Sequence, residues 1–302
     1  MSAAIVPPAP TDPSAPFGAR LADAMDEHGP LCVGIDPHPG LLSAWGLSDD
    51  VAGLERFALG CVEALGGHVA CVKPQSAFFE RHGSAGIAVL ERVIAGLAQA
   101  GTLCLLDVKR GDIGSTMAGY AKAYLADAPL GVDAITVSPF LGYESLRPAL
   151  DLAAANGRGV FVLTLTSNPE GRRVQHARAP VFEGQAGSTT VAGEIIAAVS
   201  AENNAARART ELGSVGMVVG ATIADDIERL GLDFESANGP LLAPGIGAQG
   251  GSGQELARAV GVASRAILAS SSREVLGAGP DVAALRAAAL DTAARLTQEL
   301  RP

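Results

Sequence analysis

The feature that most constrains the fold is a regular alternation of short apolar runs with helical patterns along the chain. Eight such runs have the composition of buried strands, and segments with helical spacing lie between them. Parallel neighbours in a sheet need a crossover connection, usually a helix, and their strands are apolar on both faces. The alternation therefore predicts an α/β protein with a parallel sheet. The runs begin at Leu31, Val69, Leu103, Ala134, Gly159, Val215, Leu241 and Ala266.

The count and the single pass predict one (β/α)8 TIM barrel, to which residues 18–302 are assigned. Residues 1–17 contain five prolines and are expected to form an N-terminal arm. The spacing from Phe17 to His28 predicts a helix that caps the bottom of the barrel. A doubly wound sheet is the alternative, but it should show a glycine-rich turn after the first strand. The sequence Ile35–Gly40, IDPHPG, is not such a dinucleotide fingerprint.

Composition narrows the range of partners and compartments. The net charge is −10, which argues against a nucleic acid or an anionic membrane as partner. No apolar run reaches the roughly 18 residues of a membrane span, and the first residues do not resemble a secretory signal. The four cysteines form no CxxC pair, and we expect reduced thiols in a cytoplasmic protein.

Charged residues stand where the first three predicted strands end. Asp36 ends the first strand and Lys73 the second, and Asp107 and Lys109 share one face of the third. The C-terminal ends of barrel strands meet at one mouth, so we expect these four side chains to lie close together. Asp112 is expected near them or projecting outward. The alternatives are a surface ion pair on the third strand, a turn-capping Asp36 and a Lys73 that reaches solvent.

The opposite side of the mouth has features of a phosphate site. Glycines in the range Pro244–Gly251 let backbone amides approach an anion, and Arg273 follows the eighth strand. The loops after strands seven and eight often bind phosphate in this fold, although a merely flexible loop is the alternative. Ser167–Gly187 has no clear periodicity and contains arginines, which predicts a lid over an anionic group.

Several motifs resemble the orotidine 5′-monophosphate decarboxylase family, in particular its longer bacterial branch. They are CVKP at 71–74, DVKRGDIGST at 107–116, LTSNP at 165–169, LAPGIGAQGG at 242–251 and SSSRE at 270–274. They occur in the family's order over most of the chain. The resemblance implies decarboxylation of orotidine 5′-monophosphate to uridine 5′-monophosphate and CO2, the last step of pyrimidine nucleotide synthesis, without metal or organic cofactor.

The resemblance also implies roles for individual residues. Asp107 would press on the substrate carboxylate, and Lys109 would stabilise the carbanion and protonate the ring. Lys73 and Asp112 would complete, with Asp107 and Lys109, a charged array of lysines and carboxylates. Asp112 and Thr116 would be donated across a homodimer interface, so that the active sites are shared. The implied substrate-binding residues are Asp36 and Lys73 at the ribose, Ser167 (next to Thr166) at the pyrimidine, Pro244, Gln249 between base and phosphate, and Arg273 at the phosphate.

Two other functions are compatible with the same residues. A metal-dependent sugar-phosphate lyase would use the carboxylates as Mg²⁺ ligands, and Lys73 would intrude on that site. A non-catalytic phosphate-binding barrel would need Gln249 and Arg273 but not the array of lysines and carboxylates.

Overall fold

The computed structural model describes residues 15–178, 189–246 and 253–301. Eight parallel strands form a closed barrel in which each strand pairs with its sequence neighbours and the last pairs with the first. This confirms the predicted (β/α)8 barrel. The strands are β1 (Leu31–Ile35), β2 (Cys71–Pro74), β3 (Leu103–Arg110), β4 (Ala134–Val137), β5 (Gly159–Leu165), β6 (Val215–Val219), β7 (Leu241–Pro244) and β8 (Ile267–Ser271).

Helices surround the barrel, and short 3₁₀ turns at Tyr143–Leu146, Pro169–Gly171 and Gly261–Ala266 accompany them. No helix in the described parts of the chain is long and apolar enough to cross a membrane. The α-helices are α1 (Phe17–His28), α2 (Pro39–Ala44), α3 (Val51–Leu65), α4 (Ser76–Glu80), α5 (Gly83–Gln99), α6 (Gly114–Leu125), α7 (Arg147–Ala155), α8 (Arg172–Gln175), α9 (Val191–Glu202), α10 (Asn204–Ala208), α11 (Ala224–Leu230), α12 (Gly253–Val260), α13 (Arg273–Leu276) and α14 (Val282–Leu300).

The apolar core has two layers, separated by the barrel wall. In β3, Leu103 and Leu105 belong to the inner layer, whereas Leu106 belongs to the layer between strands and helices. This is the alternation of faces predicted for that strand. Helix α1 closes the bottom as predicted, because Phe17 is fully buried against Phe161 with ring centroids 5.9 Å apart.

The described part of the predicted arm is short, because α1 already begins at Phe17 and residues 1–14 lie outside the described residues. The boundary between arm and barrel stays a prediction.

The helical segment between β5 and β6 is interrupted. It divides at Asn203 into α9 and α10. The buried Asn203 side chain donates to the carbonyl oxygens of Val215 and Ala237 and accepts from the Val215 amide. The break therefore allows a polar side chain to satisfy main-chain groups at the start of β6.

Candidate active site

A cavity of about 320 Å³ opens at the C-terminal ends of the strands. Six of the ten predicted site residues line it: Asp36, Lys73, Asp107, Lys109, Pro244 and Arg273. A larger cavity, of about 890 Å³, lies at the other end of the barrel beside α1, and none of the nine predicted site residues that the structure describes lines it. The predicted chemistry therefore converges on the smaller cavity, at the end where barrels carry their active sites.

Asp107 lies at the centre of the polar contacts in this cavity. Lys109 Nζ lies 2.7 Å from Asp107 Oδ1 and 2.8 Å from Oδ2, while Lys73 Nζ approaches Oδ2 to 3.4 Å. Gln75 Nε2 donates to Oδ2 at 2.7 Å, and Thr136 Oγ1 donates to Oδ1 at 2.7 Å. Groups from three adjacent strand ends thus hold one buried carboxylate.

The environment of Asp107 lowers its pKa to about 2. Burial acts to raise the pKa, but the positive charges of Lys73 and Lys109 and the hydrogen bonds from Lys109 and Thr136 outweigh that effect. The carboxylate is therefore ionised throughout the neutral range.

Lys73 is buried, pairs with Asp107 and feels the charge of a second carboxylate, Asp36. Burial acts to lower its pKa, but the charges of Asp36 and Asp107 outweigh this and raise the pKa above its ordinary value. Asp36 Oδ1 is itself buried and has no hydrogen-bond partner among the described residues. Because a buried polar atom without a partner is costly, this oxygen is a good candidate to accept a hydrogen bond from a ligand hydroxyl.

Gln75 and Thr136 were not singled out from the sequence, although the alternation of strand faces could have found them. Gln75 follows Cys71 and Lys73 at intervals of two residues, and Thr136 follows Ala134 in the same way. Cys71 and Ala134 both belong to the inner layer of the core. The face rule applied to β3 therefore also predicts inward side chains at 75 and 136.

Asp112 and Thr116 lie outside the cavity of their own chain. Both follow β3 on the surface, and Asp112 Oδ1 accepts a hydrogen bond from the neighbouring Ile113 amide at 2.8 Å. Of the two positions considered for Asp112, the structure shows the outward one. Ile113, which follows Asp112, and Phe140 and Leu141, which follow β4, are 62%, 77% and 53% exposed, which is unusual for large apolar side chains.

At the end of β5, Thr166 lines the cavity and the exposed Ser167 does not. Thr166 is held by Gln175, which accepts from its amide at 2.8 Å and donates to its hydroxyl at 2.8 Å. The loop Asn168–Arg178 returns to α11, where the buried Asp226 pairs with Arg172 and Arg229. The rest of the predicted lid, residues 179–187, lies outside the described residues.

The expected phosphate side is described only in part. Pro244, Gly245 and Arg273 line the cavity, and Gly245 has the positive φ of +95° that favours glycine. Arg273 is exposed and makes no side-chain hydrogen bond or ion pair with the residues that the structure describes. Gln249 and the glycines at 247, 250 and 251 lie outside these residues.

His38 also lines this cavity. Its Nδ1 accepts from the Leu41 amide at 3.4 Å, which caps the start of α2. Within residues 15–178, 189–246 and 253–301, no three His, Cys, Asp or Glu side chains are grouped as metal ligands.

A family model described as "Orotidine 5'-phosphate decarboxylase / HUMPS family" matches residues 29–288, which include all eight strands. The chain belongs to this family. The assignment suggested by the sequence motifs is thereby confirmed.

Relatives and solved structures of the orotidine 5′-phosphate decarboxylase family support the same conclusion. A protein of that name from Salinispora arenicola is 62% identical over 274 residues, covering 90% of this chain and 94% of the relative. A solved protein from Streptomyces avermitilis, assigned to the same activity, has a TM-score of 0.87 at 56% identity and covers 95% of this chain and 97% of its own. The Leishmania donovani OMP decarboxylase structure has a TM-score of 0.69 at 27% identity and covers 93% of this chain and 98% of its own.

Proposed function

We propose that this protein decarboxylates orotidine 5′-monophosphate to uridine 5′-monophosphate and CO2, without a metal or organic cofactor. The observation that carries the proposal is the buried Asp107 carboxylate held between Lys73 and Lys109 at the mouth of a barrel of this family. High-identity relatives bearing the decarboxylase name support it.

In the proposed chemistry, the negative charge of Asp107 acts on the substrate and the positive charge of Lys109 acts on the carbanion that forms. Asp107 faces the substrate carboxylate, and this repulsion is relieved as neutral CO2 leaves. When the carbon–carbon bond breaks, its electron pair stays on the pyrimidine ring, where the Lys109 ammonium stabilises the developing carbanion. Lys109 then transfers one Nζ proton to that carbon and is reprotonated from solvent.

The remaining site residues bind the parts of the substrate that do not react. Asp36 and Lys73 hold the ribose hydroxyls, and Arg273 binds the phosphate. Thr166 or Ser167 contacts the pyrimidine, with Pro244 beside it and Gln249 between base and phosphate. Binding energy at the remote phosphate then helps to hold the ring against the charged array.

We also propose a homodimer with shared sites, in which Asp112 and Thr116 of each chain enter the site of the other. Ile113, Phe140 and Leu141, which are exposed after the ends of β3 and β4, support a partner with an apolar surface. A further cavity, of about 420 Å³, adjoins Asp107 and Lys109. It can receive a segment of a second copy of the chain, which is consistent with a homodimer.

Mixing two inactive variants tests this assembly. Chains with Lys109→Ala and chains with Asp112→Ala should regain up to about one quarter of wild-type activity when mixed equally, because half the dimers are mixed and each has one intact site. A mixture of Lys109→Ala with Asp107→Ala is the matched control. These two residues contact each other within one chain, so mixed dimers have no intact site. Equal behaviour of the two mixtures, with subunit exchange demonstrated, would exclude shared sites.

The function itself is tested by CO2 release from orotidine 5′-monophosphate by purified protein. We expect turnover that is unaffected by a metal chelator. Turnover that stops with chelator and returns with Mg²⁺ would support a metal-dependent lyase, and nucleotide binding without turnover would support a phosphate-binding barrel. A cytoplasmic location is also proposed, since all four cysteines are free and buried.

A further inference from the structure

Thr136 makes three hydrogen bonds that join Asp107 to the backbone of Lys109. Its Oγ1 lies 2.7 Å from Asp107 Oδ1, 3.1 Å from the Val108 amide and 2.9 Å from the Lys109 amide. The Thr136 residue is 1% exposed, so water does not compete for these bonds. One side chain on β4 thus contacts both the carboxylate and the main chain that carries the lysine.

The chemistry of the partners determines which way each hydrogen bond runs. The two backbone N–H groups can only donate, so the Thr136 oxygen accepts from both. A hydroxyl has one hydrogen and two acceptor lone pairs, so its hydrogen remains for Asp107, whose ionised carboxylate can only accept. The capacity of the hydroxyl is completely used, and a valine at this position would satisfy none of the three groups.

The same hydroxyl stands where the β3–β4 ladder is interrupted. Leu106 pairs with Ile135 and Arg110 with Val137, so four steps along β3 correspond to two along β4. Within this bulge Lys109 has a φ of +44°, a left-handed conformation that is unfavourable for a residue with a side chain. Bulges redirect side chains next to active sites, and here the amides of residues 108 and 109 bond to Thr136 Oγ1.

We infer that Thr136 is a positioning residue for decarboxylation, an inference that rests on the proposed function. Its hydroxyl orients the Asp107 carboxylate and stabilises the bulge that directs the Lys109 side chain back towards Asp107. Thr136 itself need not touch the substrate. Its removal should therefore disturb the geometry of the reacting groups and leave the ribose and phosphate contacts in place.

Thr136→Val keeps the shape of the side chain and removes the hydroxyl. We expect kcat to fall roughly 10- to 150-fold, the effect of losing a hydrogen bond to a charged group, while the dissociation constant of uridine 5′-monophosphate stays unchanged. Thr136→Ser should restore most of kcat because it returns the hydroxyl. Thr164→Val is the matched control, since Thr164 is also buried on a strand but its hydroxyl bonds, among the described residues, only to the Val162 carbonyl.

A second experiment, NMR of labelled lysine side chains, tests the position of Lys109 without measuring activity. The chain contains only three lysines, Lys73, Lys109 and Lys122, so lysine labelled with ¹³C at Cε gives three signals. The Lys109 signal, assigned by its loss in Lys109→Ala, should move in Thr136→Val and not in Thr164→Val. The signal of Lys122, on the exposed face of α6, should not move in either.

The inference is overturned if folded Thr136→Val keeps wild-type kcat and an unmoved Lys109 signal. It is also overturned if serine and valine are equally impaired, or if nucleotide affinity falls in step with kcat, because either result indicates a merely structural role. Should the valine variant not fold, Thr136→Cys, which matches serine in shape but is a weaker donor, should give a kcat below that of Thr136→Ser. A wild-type protein that does not decarboxylate would reject the proposed function, and the lysine signals would still test Thr136.

Discussion

The two halves of the barrel mouth differ in how far the protein satisfies its own polar groups. On the β2–β4 side, Lys73, Asp107 and Lys109 are bonded to one another and to Gln75 and Thr136. On the β7–β8 side, Arg273 has no polar partner among the described residues, and Ser271 Oγ is buried without one.

This difference indicates that folding alone positions the polar groups of the β2–β4 half, whereas those of the β7–β8 half acquire partners only when a ligand binds. The charged array is held in place by hydrogen bonds within the chain, so its geometry exists before substrate binds. Groups without protein partners are instead suited to bind an anion that arrives with the substrate. Electrostatic catalysis benefits from the first arrangement, because preorganised charges need no rearrangement during the reaction.

The largest effect should come from removing a lysine of the β2–β4 half. Lys109→Ala deletes both the proposed proton donor and the cation that faces the carbanion, so turnover should fall roughly a thousandfold or more. The variant should stay folded and still bind uridine 5′-monophosphate. CO2 release and nucleotide titration measure the two properties, and Lys122→Ala, a change at an exposed lysine of α6, should leave both unchanged. Substantial turnover by a pure, folded Lys109→Ala protein would shift the proton-donor role to Lys73.

A smaller effect is expected from the other half. Arg273→Ala removes the proposed charge-assisted contact to phosphate, so kcat/KM should fall roughly 10- to 150-fold, corresponding to about 1.5–3 kcal/mol. For orotidine, which lacks the phosphate, the loss should be small because the arginine has no partner there. Arg258→Ala, an exposed arginine of α12 that does not line the cavity, is the control. Equal losses with both substrates would show that Arg273 supports the fold and does not bind phosphate.

The smallest expected effect is on the pH dependence of stability, which reports how strongly the folded state favours the ionised Asp107 carboxylate. The pKa of Asp107 is lowered from its ordinary 3.8 to about 2, so its ionisation stabilises the folded state above pH 3.8. That contribution is lost as the pH falls through 2, and it amounts to on the order of 2 kcal/mol.

Denaturant unfolding between pH 5 and pH 2 should therefore show a steeper loss of stability in the wild type than in Asp107→Asn. Asp291→Asn, which removes an exposed carboxylate of α14 outside the cavity lining, reports the general effect of such a change. Parallel curves for wild type and Asp107→Asn would mean that folding does not favour the ionised carboxylate, and the contrast between the two halves would then be weaker than the distances suggest.

Local pattern in the sequence determined much of this protein. The apolar runs and their spacing predicted the strands, since a parallel strand must be apolar on both faces to be buried. The period of two along β3 placed Leu103, Leu105 and Asp107 on one face, and the lining of the cavity confirms Asp107 and Lys109 at the mouth. These inferences succeeded because strand geometry relates residues two apart without reference to any other part of the chain.

Only the tertiary structure decided what depends on distant segments. The contacts of Gln75 and Thr136 with Asp107 arise because β2, β3 and β4 are neighbours in the closed barrel. The division of the helix at Asn203 follows from hydrogen bonds to residues 12 and 34 positions away. Similarly, the outward position of Asp112 and the cavity contact of Thr166 depend on how loops leave the strands. Such contacts join groups far apart in the sequence, so no local period encodes them, and packing alone selects which polar groups meet.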